Sequence, residues 1–345
     1  MRYSRVSIVS IGYELPANVV TSAALEDRLA PVYETLRLSF GQLETMTGIR
    51  ERRLWDPGFR MSDGAVAAGR KALDASGLKR DDIGLLIYGG VCRDNLEPAT
   101  ACPVADGLGL PGSPVTYDVS NACLGVVNGM VQIANAIELG QIAAGMVVSC
   151  ESAREIIDSS IERLLARCDM ETFKTTFATL TGGSGAIAVV LADAALAPDG
   201  HRLLGGAARS ATEHHRLCRW GPDTGIPPSA AHVMETHAID VLENGVKLGA
   251  QTWRDFIREL GWPDGVDKVI CHQVGTTNRT AILKTLNIPL ERDFSTFPYL
   301  ANIGTVSLPI TAAIAEQRGF LERGDKVGFL GIGSGLNCVM LGVQW

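Results

Sequence analysis

A chain of 345 residues, 46% hydrophobic and 20% charged, can bury a substantial core in one large domain or two closely packed ones, which excludes a disordered protein. Its net charge of −7, without a cluster of Lys and Arg, argues against a nucleic-acid surface or an electrostatic membrane patch and favours a small or acylated substrate. The eight cysteines show no CxxC spacing, and Cys150, Cys271 and Cys338 lie in apolar runs, so they read as reduced core positions of a cytosolic protein.

In chain order, the first apolar stretch is too soon interrupted for a signal peptide, and no run approaches the ~18 apolar residues of a membrane span. Apolar, β-branched runs predict strands over 6–11, 83–88, 144–150, 186–191, 268–271 and 326–330. Spacings of three and four predict helices over 62–76, 124–139, 238–260, 277–286 and 310–321. Strands alternating with helices imply a layered α/β fold. The helix over 124–139 has few polar positions on any face and belongs inside, between sheets. Two echoes occur in the same order: DDIGLLIYGGVCRDN with DGVDKVICHQVGTTN, and AAGMVVSCES with GDKVGFLGIGSG. They suggest a duplicated core, with halves at 1–192 and 193–345 and a crossover over 193–231, although chance likeness between buried strands competes with that reading.

Cys123 lies in VSNACLGVVNGM, after a strand-like stretch and at the opening of a helical pattern. A helix N-terminus carries about half a positive charge and unpaired N–H groups, so a thiol there is expected to ionise readily and to find an oxyanion donor. The plain alternative is a small buried residue on an apolar helix. His272 ends the strand over 268–271 and begins HQVGTTN; Asn302 falls in ANIGTVSLP, where glycine and small residues permit close approach; and GIGSGLN places Gly333, Ser334 and Gly335 after another strand, where backbone N–H groups can meet a substrate oxygen. Taken singly, these are ordinary strand-end and turn residues. Acyl transfer through a thioester would use all of them: a thiolate, donors for the carbonyl oxyanion, and His272 and Asn302 as donors to an enolate. Cysteine proteases also combine Cys, His and Asn, so residue types alone do not decide.

SNACLG, HQVG, ANIGTVSLP and GIGSGLN occur in the order and approximate spacing of thiolase-superfamily condensing enzymes of the ketoacyl synthase III type, and the resemblance spans essentially the whole chain. It implies a thiolase fold, a five-layered αβαβα arrangement of two pseudo-symmetric halves, working as a homodimer. Within that superfamily RERRLWD, CRDNLEPATA, ARSATEHHRLCR and LGIGSGLNC resemble the OleA thiolases of bacterial olefin and β-lactone biosynthesis. This resemblance implies non-decarboxylative, head-to-head Claisen condensation of two fatty acyl-CoA molecules. Cys123 would take the first acyl group, and Glu97 of the partner subunit would help remove the α-proton of the second. Condensation without decarboxylation needs such a base, and burial against a partner's apolar pocket would raise its pKa; by residue type alone, Glu97 is a solvated loop residue.

The product would be a 2-alkyl-3-ketoacyl species for downstream pathway enzymes. The alternatives on the same scaffold are a decarboxylating ketoacyl-carrier-protein synthase III and an acyltransferase of a secondary pathway; thioester hydrolysis and a non-catalytic partner subunit are further readings. Acyl-CoA enters as substrate, and no cofactor or metal is expected. His214 and His215 beside Glu213 lack a third suitably spaced ligand and read as surface or supporting groups. TLTGGSGAIAVV lacks the Lys-Ser/Thr pair of a P-loop and reads as a turn into a core strand.

Overall fold

The computed structural model describes residues 1–222 and 232–345. Among them the strands are β1 (Val6–Glu14), β2 (Asn18–Thr21), β3 (Glu51–Leu54), β4 (Ile83–Gly89), β5 (Val115–Val119), β6 (Ala144–Glu151), β7 (Gly185–Asp193), β8 (His201–Ser210), β9 (Cys218–Pro222), β10 (His232–Thr236), β11 (Lys268–Cys271), β12 (Lys326–Gly333) and β13 (Asn337–Gln344). The helices are α1 (Ser22–Arg28), α2 (Ala30–Leu36), α3 (Gln42–Thr47), α4 (Met61–Ser76), α5 (Ala101–Leu108), α6 (Gly125–Glu138), α7 (Arg154–Arg167), α8 (Met170–Thr176), α9 (Ala238–Leu260), α10 (Thr276–Leu286), α11 (Phe297–Leu300) and α12 (Ser307–Gln317).

Nine strands form one sheet in the order β11-β12-β13-β8-β1-β7-β6-β4-β5. Its middle is its thinnest seam, since β1 and β8 pair only through Ser7 with Arg202 and Ile8 with His201. Outward from that seam the two sides repeat: β1, β7, β6, β4 on one and β8, β13, β12, β11 on the other. The β4–β6 and β11–β12 pairs are both parallel, while β6–β7 and β12–β13 are antiparallel. The strands named by the sequence echoes therefore hold matching places. Next to β11, where β5 would have its counterpart, the chain makes only a single bridge between Val269 and Asp293.

Layering follows from the two-residue period of the strands. Tyr88, Met146, Val148, Ala188 and Val190 point to one face and pack with Ala65, Ala68 and Ala72 of α4 and Val104 and Leu108 of α5. Their neighbours Ile87, Val147, Ile187 and Val189 point the other way, into a core shared with α6, α12 and Phe329, Val339 and Leu341 of the second side. The opposite face of that side, through Val269, Cys271, Leu330, Cys338 and Met340, meets Leu248 and Phe256 of α9 and Leu283 and Leu286 of α10. The five layers are α4/α5, strands, α6/α12, strands and α9/α10. The expected buried helix is α6, whose apolar residues are covered and whose one exposed residue, Asn135, accepts from the Tyr3 hydroxyl at 2.8 Å.

Several boundaries move. The helix expected over 310–321 runs Ser307–Gln317: Pro309 is tolerated in the first turn, and Gly319, at φ +68°, turns the chain away after it. The segment over 193–231 is more than a crossover, because it supplies β8, a central strand; its residues 223–231 lie outside the described ones. The sequence HRLLGGAARS hides that strand because glycine and alanine are poor strand formers. A Cβ on Gly205 would lie 2.2 Å from the Met1 carbonyl oxygen, and one on Gly206 would lie 1.9 Å from that of Met340, so close backbone packing dictates the glycines. The cysteines at 150, 271 and 338 are buried and unpaired.

Candidate active site

Cys123 stands two residues before α6, in a tight turn where the Asn121 carbonyl accepts from the Leu124 N–H at 2.9 Å. The residue before it, Ala122, has φ +45°, an uncommon conformation for a residue with a side chain. The helix start packs against the end of β4, where a Cβ on Gly89 would lie 2.6 Å from the Gly125 carbonyl oxygen. The Val126 N–H is capped by the Thr305 Oγ1 at 2.8 Å, which ties this turn to ANIGTVSLP. Burial, then the Glu151 carboxylate and then Cys218, push the Cys123 thiol up to about 12, opposed by its own backbone N–H. The expectation of a readily ionised thiol is not met: burial and the nearby Glu151 charge favour the neutral thiol.

The C-terminal turn closes over Cys123. A Cβ on Gly331 would lie 2.7 Å from Leu124 Cδ2, and one on Gly333 3.4 Å from the Cys123 backbone nitrogen. A chain of amides fixes this contact: Asn337 Nδ2 donates to Asn121 Oδ1 at 3.1 Å, and Asn121 Nδ2 donates to Asn128 Oδ1 at 2.8 Å. Ser334 and the flanking glycines thus come to the nucleophile's turn by packing of one half against the other.

His272 follows β11, with its backbone N–H donating to the Leu330 carbonyl at 2.9 Å. Burial lowers it to about 4, so the imidazole is neutral at physiological pH. Its Nδ1 lies 2.8 Å from Oγ of Ser307, the first residue of α12, leaving Nε2 as the other polar edge of the ring. Asn302 follows Ala301, another non-glycine residue at positive φ, +62°. Its backbone N–H donates to the Thr181 carbonyl and its carbonyl accepts from Gly183, both at 2.9 Å. Its Oδ1 accepts from the Gly304 N–H at 3.1 Å, which identifies the oxygen and leaves the NH₂ as a donor.

Two cavities meet at Cys123. The first, about 190 Å³, is lined by Cys123, His272, Asn302, Gly333 and Ser334 and extends among Val241, Leu242, Val246, Ile282, Leu330 and Met340. The second, about 490 Å³, shares Cys123, Asn302 and Ser334, and adds Gly335, Glu151, Thr179, Gly182, Gly183, His215 and Arg219. TLTGGSGAIAVV is the expected turn into a core strand, β7, and abuts this second cavity.

Glu97 lines neither cavity. It is exposed, beside Leu96 at 89% exposure, at the tip of the connection between β4 and α5. The connection is rooted at both ends: Tyr88 donates to the Cys92 carbonyl at 2.7 Å, and Asp118 accepts from the Thr100 and Ala101 N–H groups at 2.8 and 2.9 Å. His214 lies 4.0 Å from Glu213, and His215 Nδ1 lies 3.2 Å from the Thr212 carbonyl oxygen. Ser307, Thr305, Asn121 and Asn337 went unremarked in the sequence because their work depends on distant partners. Glu151 had a signal: it is the one acid at the end of AAGMVVSCE, a strand buried along its whole length.

Residues 261–345 match the model of the 3-oxoacyl-[acyl-carrier-protein] synthase III C-terminal family. The chain is 52% identical to the acyl-CoA:acyl-CoA alkyltransferase of Shewanella oneidensis and 37% identical to that of Xanthomonas campestris pv. campestris, each over all of both chains. The chain belongs to the acyl-CoA:acyl-CoA alkyltransferase family. A solved structure of Xanthomonas campestris OleA, a cysteine-to-alanine variant, covers all of this chain and 98% of its own, with a TM-score of 0.94 at 36% identity. Another, with bound lauric acid and lauroyl-CoA, gives 0.93 at 36% over 99% of this chain and all of its own. The α/β architecture above is that family's thiolase fold. Among the described residues, no helix is long and apolar enough to cross a membrane.

Proposed function

We propose that the protein joins two fatty acyl-CoA molecules head to head, without decarboxylation, through an acyl thioester on Cys123. The observation that carries this reading is the meeting of two cavities at Cys123 and Asn302, both with mostly apolar walls. In the first half-reaction the Cys123 sulfur bonds to the acyl carbonyl carbon, the carbon–sulfur bond to CoA breaks, and the thiol proton leaves with CoA. Backbone N–H groups at Cys123 and Ser334 are the donors for the oxyanion.

In the second half-reaction Glu97 of a partner subunit takes an α-proton from the second acyl-CoA. Neutral His272, with Nδ1 accepting from Ser307 and Nε2 carrying the proton, and the Asn302 NH₂ donate to the enolate oxygen. The enolate carbon attacks the acyl-cysteine carbonyl, and collapse expels the Cys123 thiolate, which takes up the proton that Glu97 removed and returns to the thiol. The product is a 2-alkyl-3-ketoacyl-CoA, which hydrolysis converts to the β-keto acid. This assignment makes the working unit a homodimer, consistent with the outward direction of the Glu97 connection.

The test is incubation of the purified protein with myristoyl-CoA alone, followed by mass spectrometry. A β-keto acid with twice the carbon count of the acyl chain, or the ketone left when it loses CO₂, is the expected result. Product formed only when a malonyl thioester is added would replace this reading with a decarboxylating synthase.

A further inference from the structure

The second cavity contains one buried acid that the mechanism above leaves unused. Glu151 ends β6 with 5% of its surface exposed and shares the cavity lining with Cys123. Its two oxygens reach outward to another segment: the Val91 N–H donates to Oε1 at 2.9 Å and the Cys92 N–H to Oε2 at 3.2 Å. Those are the first residues after the glycines that end β4, at the root of the connection carrying Glu97. The Asn302 loop passes over the same side chain, since a Cβ on Gly304 would stand 3.3 Å from Glu151 Cγ. The Glu151 backbone is held as well, its carbonyl accepting from Trp55 Nε1 at 3.1 Å.

We propose that Glu151 is a positioning residue for the condensation, a single carboxyl group that anchors the root of the Glu97 connection from inside the cavity that holds Cys123. It rests on the reading of Glu97 given above. The two donors fall on separate oxygens, so a carboxamide in the same pose would turn its NH₂ toward one of them. The ionised form is the one both donors favour, whereas burial favours the neutral one and raises the group above the usual carboxylate range. The titratable and charged groups facing it are Cys92 and Arg93 of the connection, Tyr88 of β4, Cys150 of its own strand and Cys123.

Two substitutions separate charge from reach. Glu151→Gln keeps the length and loses the charge and one acceptor, while Glu151→Asp keeps the charge and falls short of Val91 and Cys92. In the full-length protein, the pH dependence of Cys123 alkylation by iodoacetamide is followed by intact-protein mass spectrometry. The Gln variant is expected to move the midpoint down by about one unit, since a nearby negative charge disfavours thiolate, and the Asp variant to leave it in place.

With myristoyl-CoA, both variants are expected to keep the acyl adduct within about threefold of wild type and to lose roughly 10- to 100-fold in condensed product, the scale of a misplaced reacting group. A Gln variant with the wild-type alkylation midpoint and full condensation would overturn the proposal. So would loss of adduct and product in equal measure. If the Gln variant does not fold, the Asp variant decides by its ratio of product to adduct. If wild type makes no condensed product at all, the proposed function fails, while the alkylation profile still reads the relation between Glu151 and Cys123.

Discussion

β4 and β11 occupy matching places beside β6 and β12, yet the chain leaving β4 runs outward to an exposed Glu97 while the chain leaving β11 turns at once into the cavity as His272. The helices that fill the middle layer differ in the same way. The turn before α6 presents Cys123 after a positive-φ alanine, and the segment before α12 presents Asn302 after another. One element type with one local device thus delivers a nucleophile from the first half and hydrogen-bond donors from the second. Two strand ends and two helix starts in matching places converge, and single residues at them carry different chemistry. Positive φ values at Ala122 and Ala301, the residues just before the two reactive positions, fit sites where the surrounding packing over-determines the backbone.

If the halves divide the work in this way, Cys123→Ala removes both steps. Intact-protein mass spectra should show no acyl adduct, and condensed product should fall on the order of 10³-fold or more. His272→Ala and Asn302→Ala should instead keep the adduct and lose product by roughly 10²-fold, as expected for removing one donor to a developing oxyanion. Loss of the adduct in His272→Ala as complete as in Cys123→Ala would break the division between the halves.

A pH series sharpens the same point at smaller amplitude. Burial lowers His272 to about 4, so the neutral donor persists down to that value and condensation should show no fall with an apparent pKa near 6.5. The sign carries over to stability. The unfolded chain binds a proton between about pH 6.5 and 4 that the folded imidazole refuses, so folding stability declines as pH falls through that window. His272→Gln should decline less, measured as the change in denaturant midpoint between pH 7 and pH 4.5.

How much of this was legible beforehand depends on whether the determinant is local. Val269 and Ile270, or Val147 and Val148, announce buried strands by themselves, and α6 announces its burial by lacking a polar face. β8 was illegible because its glycines answer to the backbones of Met1 and Met340, far away in sequence. The types and order of Cys123, His272, Asn302 and Ser334 were readable, and packing brings all four to one place. The protonation of Cys123 was misjudged because a helix terminus is a local feature, whereas the desolvation and the Glu151 charge that oppose it come from the assembled cavity. The link from Ser307 to His272 joins residues 35 apart and leaves no trace in spacing.

The smallest effect concerns the seam between the halves and compares two glycines of β12. A Cβ on Gly331 would sit 2.7 Å from Leu124 Cδ2 and 3.1 Å from the Val339 carbonyl oxygen, whereas one on Gly328 would meet only ordinary contacts of 3.4 to 3.7 Å. Gly331→Ala should therefore force Leu124 and the Cys123 turn to shift and cost about 1–3 kcal/mol, the usual scale of overpacking. Gly328→Ala should be neutral or slightly stabilising, because alanine costs the unfolded chain more freedom than it costs the strand. Denaturant midpoints give the comparison, and the acylation rate gives its meaning. A Gly331→Ala protein that loses stability while acylating at the wild-type rate would place the seam's packing outside the nucleophile's control, whereas a parallel loss ties the fit of the C-terminal half to the reactivity of the cysteine it covers.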